Sequence, residues 1–301
     1  MRRVVPARSV RWIAALAACA LTACSMGWKS GWEMDREKPM KGSPDVEVLR
    51  QAARDADVRA ENRASVEAMA KAWVQVLRAV PDDYEALVNL ASTWTLLGQG
   101  YARTVGEQGE MYRKALQYAE RAMTLDAGFR EKVEGGTETW DAIPVLGAVY
   151  ADAIGWWATA MMRMYHDCLS GVVQETRKEW IRRDEAVLAH LQSLAPGWNG
   201  GLAAYDRAVT AAAMPARAGG DIEKAGALFQ EAIDASPETL RNRWGRARYL
   251  AVEKKDREAF RADLQWVAGR DAKAAPGSHG WNFLYQREAA TMLSRESDWF
   301  W

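Results

Sequence analysis

The sequence predicts an all-α protein made of stacked helical hairpins, and three observations carry that prediction. From Asp45 onward, apolar residues recur with the helical period among Ala, Leu, Glu, Arg and Lys, and no stretch alternates as a strand would. Helix breakers punctuate this pattern at Pro81, Gly135-Gly136, Pro144, Pro196-Gly197, Gly219-Gly220, Pro237 and Pro276-Gly277. The pattern also repeats: Ala259 lies 34 residues after Ala225, and Asp256 lies 35 after Asp221.

The N-terminus is a separate element. Arg2, Arg3, Arg8 and Arg11 precede an apolar run from Trp12 to Leu21. That run is too short to span a bilayer as a helix and has the shape of a secretory signal. It ends in Leu21-Thr22-Ala23-Cys24, which resembles the lipobox of bacterial lipoproteins. The resemblance implies removal of residues 1–23 as a signal peptide and acylation of Cys24, with palmitate-type chains as the membrane anchor. Each buried methylene contributes roughly 0.8 kcal/mol, and stable attachment takes at least two chains. Ser25, in place of Asp, implies the outer membrane and its periplasmic face. Residues 24–44 hold Gly27, Gly31, Pro39, Gly42 and Pro44 among charges, and so are predicted to be a flexible linker.

The helical body is predicted over residues 45–296. An opening helix should cover about 45–79, hairpins about 83–126, 140–195, 199–236 and 238–269, and a last helix about 280–295. The clearest hairpin unit is Ala225, Phe229, Ala232 and Pro237, the second-helix signature of a tetratricopeptide repeat. Small alanines admit a neighbouring helix, phenylalanine fills the gap, and proline stops the helix. Asp221 is the expected N-cap. First-helix signatures stand at Leu87, Leu90, Ala91 and Trp94, and again at Ile143, Leu146, Gly147 and Tyr150. One such hairpin leaves an apolar face open, and stacking buries it, giving a right-handed α-solenoid or a compact helical bundle.

Composition narrows the function. The full chain balances 40 basic against 40 acidic residues, and loss of the four signal arginines leaves a mildly acidic body, a poor partner for nucleic acid. With Cys19 in the signal and Cys24 as the lipid site, Cys168 is the body's lone thiol, so no internal disulfide is expected. Three histidines are poor material for a metal site or a nucleophilic triad, and Tyr165-His166-Asp167-Cys168 splays its side chains around a helix. No phosphate loop is present. An enzyme, a cofactor and a metal are therefore not expected.

Tryptophan is the oddity, at fifteen residues. Such rings serve as knobs between helices or as walls of an apolar cavity, and Met side chains adapt to either use. Trp156, Trp157, Met161, Tyr165 and Trp94 are the candidate ligand- or partner-binding residues. Adjacent Trp156 and Trp157 must point about 100° apart on a helix, so they cannot face the same neighbour. Arg241, Arg243, Arg246 and Arg248 read as a solvated face, with contact to an acidic partner as the alternative. Trp299-Phe300-Trp301, in the tail 297–301, should dock on this chain, a neighbouring subunit or a membrane surface.

Four stretches together resemble one tetratricopeptide family, the T-component (TatT) lipoproteins of tripartite ATP-independent periplasmic (TRAP) transporters. They are Tyr84–Ser92 with Trp94, Tyr112–Ala122, Val149–Tyr165 and Gly219–Phe229; Asp256-Arg257-Glu258-Ala259-Phe260 follows the same pattern. The resemblance implies a periplasm-facing adaptor for the solute-binding protein of such a transporter. It also implies a homotrimer, and a hydrophobic ligand or conduit. The alternative is a tetratricopeptide scaffold for outer-membrane or envelope assembly.

Overall fold

A computed structural model describes residues 29–42, 44–214, 216 and 219–300; the signal segment, Cys24 and Trp301 lie outside the described residues. Fourteen helices and no strand occur among them. They are α1 (Val46–Asp57), α2 (Arg63–Ala79), α3 (Tyr84–Tyr101), α4 (Val105–Met123), α5 (Ala127–Glu134) and the single turn α6 (Thr139–Ala142). Then come α7 (Ala151–Arg163), α8 (Gly171–Thr176), α9 (Glu179–Leu194), α10 (Trp198–Ala213) and α11 (Ile222–Ala235). The last three are α12 (Leu240–Gly245), α13 (Arg257–Ala268) and α14 (His279–Ser294).

Local chemistry sets most of these boundaries. Side chains of Asp45, Asn62, Asp83, Thr104, Asp126, Asp221 and Asp256 each accept from backbone N–H groups in the first turn of the helix that follows. Such caps typically contribute about 1 kcal/mol each. Ala225, Phe229 and Ala232 are fully buried on α11, which pairs along its length with α10, and Pro237 follows the helix end at Ala235. Leu90 and Ala91 are fully buried on α3, which pairs with α4.

Three expectations need correction. The opening helix is a hairpin: the chain breaks after Asp57, and Asn62 with Ser65 forms a reciprocal cap that starts α2. Ile143, Leu146, Gly147 and Tyr150 do not share a helix. They fall in two 3-10 turns, Ile143–Val145 and Ala148–Tyr150, because Pro144 and the extended Leu146-Gly147 joint delay the helix to Ala151. Leu146 is buried and Tyr150 meets Tyr84 edge-on at 5.8 Å, but Gly147 faces open space. Finally, the presumed linker is a strap packed on α4. The Gly31 N–H donates to Glu120 Oε2 at 2.7 Å, and Arg121 Nη1 reaches Glu37 Oε2 at 2.8 Å with both side chains nearly buried. A Cβ on Gly31 would collide with the Gln117 carbonyl, so only glycine fits there.

The two ends of the chain meet. Asp57, at the end of α1, accepts from Ser278 Oγ (2.6 Å) and from the His279 and Gly280 N–H groups (3.1 and 3.2 Å), thereby capping α14 from 220 residues away. Leu284 of α14 lies over Gly100 of α3. The stack is therefore closed rather than open, and α3, α7, α10, α12 and α14 converge on its middle.

Candidate functional site

Helix α7 separates two concavities. Its neighbouring tryptophans point apart, as helical geometry requires. Half-buried Trp156 faces a central cavity of about 400 Å³. Its indole stacks on Trp281 (centroids 5.7 Å apart, planes 12°) and meets Trp198 edge-on at 5.9 Å. Trp281 stacks in turn on Tyr285 at 5.8 Å. Gly155 makes this wall possible: a Cβ there would fall inside the Trp198 ring. Hydrogen bonds fix the rings, from Trp198 Nε1 to Asp152 Oδ1 (2.7 Å) and from Trp281 Nε1 to Ser92 Oγ (3.0 Å).

The floor of this cavity is polar. Thr159 Oγ1 donates to Asp206 Oδ2 at 2.7 Å, and burial pushes the Asp206 carboxyl above its ordinary range despite the opposing pull of Arg163. Arg163 is 8 % exposed and gives one hydrogen bond, to Tyr249 Oη at 3.2 Å. Arg241 is 6 % exposed; its Nη2 donates to the Asn199 and Gly200 carbonyls at 2.7 and 3.2 Å. Those carbonyls belong to a left-handed turn in which Asn199, Gly200 and Gly201 all have positive φ (44°, 65° and 78°). Arg241 and Asn242 together hold the turn against the cavity wall.

The second concavity is a groove of about 1070 Å³ on the other side of α7. Trp157, Met161 and Met164 form its base, Trp140 and Trp180 its side, and Trp32 of the strap one rim. Trp157 is 1 % exposed, meets Trp140 edge-on at 4.5 Å, and donates from Nε1 to Glu120 Oε1 at 3.1 Å. Glu120 also accepts from Gly31 N–H and, at 3.4 Å, from Thr139 Oγ1. Burial raises its pKa to about 7, because these three donors recover only part of the lost hydration of the charged form.

The structure thus divides the sequence candidates. Trp156 lines the cavity; Trp157 and Met161 line the groove. Trp94 and Tyr165 line neither: Trp94 packs beneath Lys114 Nζ at 4.0 Å, and buried Tyr165 donates to the Gln174 carbonyl at 3.0 Å. The arginine run is not a solvated face. Arg241 is buried, Arg243 and Arg246 pair with buried Asp263, and Arg248 lies near Glu288. The tail docks on its own chain, where Phe300 meets Phe260 edge-on at 5.1 Å and its carbonyl accepts from Arg257. Buried His166 is held neutral, with its pKa lowered to about 4 by burial and the nearby Arg163. No cluster of metal-ligating side chains occurs among the described residues, and none of their helices is long and apolar enough to cross a membrane.

Trp198, Trp281, Arg163, Arg241, Tyr205 and Tyr285 were not singled out as cavity residues from sequence. They come from elements far apart in the chain, and only closure of the stack assembles them. One signal was legible: Trp198 directly precedes Asn199-Gly200-Gly201, residues that tolerate left-handed backbone and so mark a special turn.

Residues 107–300, from the start of α4 to the tail, match the protein-family model described as TRAP transporter T-component. No curated protein matches the chain.

Proposed function

Because the chain belongs to the TRAP transporter T-component family, and so is associated with such a transporter, we propose that it is the adaptor for the transporter's solute-binding protein and holds a small solute in its aromatic cavity. The single observation that supports the solute role is the central cavity walled by Trp156, Trp198 and Trp281. An enclosed aromatic wall with a few convergent polar groups is the usual form of a small-molecule site. Lipidation at Cys24, outside the described residues, supplies the location in this reading: a protein tethered to the periplasmic face of the outer membrane. Self-association as a trimer comes from the family resemblance alone.

Two measurements test the proposal. The full chain, purified from detergent-solubilised membranes, should bring down a TRAP solute-binding protein; recovery of envelope-assembly proteins instead would favour the scaffold reading. Titration with 2-naphthamide, a neutral aromatic probe, should show saturable binding that Trp156→Ala weakens at least tenfold. Absence of binding to the unaltered chain would refute the solute role.

A further inference from the structure

The cavity's walls are apolar, but its floor is cationic, and that combination narrows the solute. Arg163 and Arg241 both line it, and each is more than nine-tenths buried. Neither guanidinium lies within ion-pair distance of a carboxylate among the described residues. The cavity does contain two acids, but both are engaged elsewhere. Asp152 takes the Trp198 indole N–H, and Asp206 takes the Thr159 hydroxyl. Burial also favours the neutral form of Asp206, which weakens it as a counter-charge.

Burying an arginine without a paired anion is costly, because its five donors lose water and gain little in return. Arg241 recovers part of this cost through the two backbone carbonyls of the 199–201 turn and by lying over the Tyr205 ring at 5.0 Å. Arg163 recovers far less, with one bond to a tyrosine hydroxyl. Two further polar groups on the same lining have no partner: the Tyr205 hydroxyl, on a fully buried side chain, and the Gln99 amide. An arginine fork matches the two oxygens of a carboxylate, so an acid is the ligand that would satisfy Arg163 best.

Building on the reading that this cavity holds a solute, we infer that it is a site for a small aromatic or ring-shaped organic acid. The ring lies on the stacked Trp156–Trp281 pair, and the carboxylate sits on Arg163. The acid's charge supplies the pairing that the protein lacks, while the ring displaces water from the tryptophan wall. Neutral ligands of the same shape would gain only the second contribution.

The test is calorimetric titration of the full chain with three probes of one shape: 2-naphthoate, 2-naphthamide and 2-naphthylmethylamine. The acid should bind at least tenfold more tightly than the amide, and the amine more weakly than either. Arg163→Gln should erase the preference for the acid while leaving the amide's affinity within about twofold, in keeping with loss of one charge-assisted contact. If that variant fails to fold by circular dichroism, the three-probe comparison on the unaltered chain still decides. Equal binding of acid and amide would overturn the anion assignment and leave the aromatic cavity standing. Silence from all three probes would overturn both.

Discussion

Raising the pH from 4.5 to 8 should cost this fold stability through one carboxyl, Glu120. The side chain is fully buried in the contact between strap, α4 and α7, with no cation paired to it among the described residues. Its folded pKa is about 7 against an ordinary value of 4.5, with burial as the chief cause. Between those two values the folded protein holds a proton that the unfolded chain has released, so stability falls as pH rises. The contribution is fully present below about pH 4.5 and gone above about pH 7. The gap between the two pKa values corresponds to about 3 kcal/mol. Other buried acids, Asp184, Asp206 and Glu288, shift in the same direction, so the total alone cannot isolate Glu120. Urea denaturation of the unaltered chain and of Glu120→Gln, each at a series of pH values, isolates it. The Gln amide turns an N–H toward a donor, either Gly31 or Trp157, and this lowers stability by a constant amount at every pH. Across the window, the unaltered chain should lose about 3 kcal/mol more than the variant. Parallel curves would refute the assignment of a proton to Glu120.

Three further outcomes follow from the same geometry. Trp157→Ala should destabilise by about 3–5 kcal/mol as a buried-ring truncation, whereas Trp156→Ala should lose about 1–3 kcal/mol from its two ring contacts and most of the naphthyl binding. Equal melting losses for both, with binding intact, would show that neither ring is a ligand wall. Gly155→Val should push Trp198 off α7 and weaken naphthyl binding at least tenfold while far-ultraviolet circular dichroism stays helical; unchanged affinity would mean the Trp198 face is not used. Cys168 should react with a thiol reagent at pH 8 at least a hundredfold more slowly in the folded chain than in urea. Burial, helped by Asp167, pushes its thiol up to about 12, and fast labelling of the folded chain would contradict this.

Much of this architecture was legible in the residues themselves. The helical period, the Asp221 and Asp256 caps and the Ala225-Phe229-Ala232 packing face are encoded within a turn or two of the chain, where local sterics and hydrogen bonding decide the outcome. The divergence of Trp156 and Trp157 was equally readable, because it follows from helical geometry alone. The opening helix was misread because the reciprocal cap of Asn62 and Ser65 is a weak local signal inside an otherwise helical pattern. The strap was misread for a different reason. Glycine and proline among charges look like a linker unless one knows that Gly31 presses on α4 and that Glu37 finds Arg121 more than eighty residues away.

By itself, then, the sequence determined an all-α stack of hairpins, its family, the helix caps and the two directions in which α7 presents its tryptophans. Only the tertiary structure decided that the stack closes, with Asp57 capping α14, and that five elements surround one cavity. It also decided which arginines of a charged run are buried without an acid. The physical reason is range: periodicity and capping act over a few residues, whereas a cavity and the unpaired charge within it exist only after elements from distant parts of the chain have packed against one another.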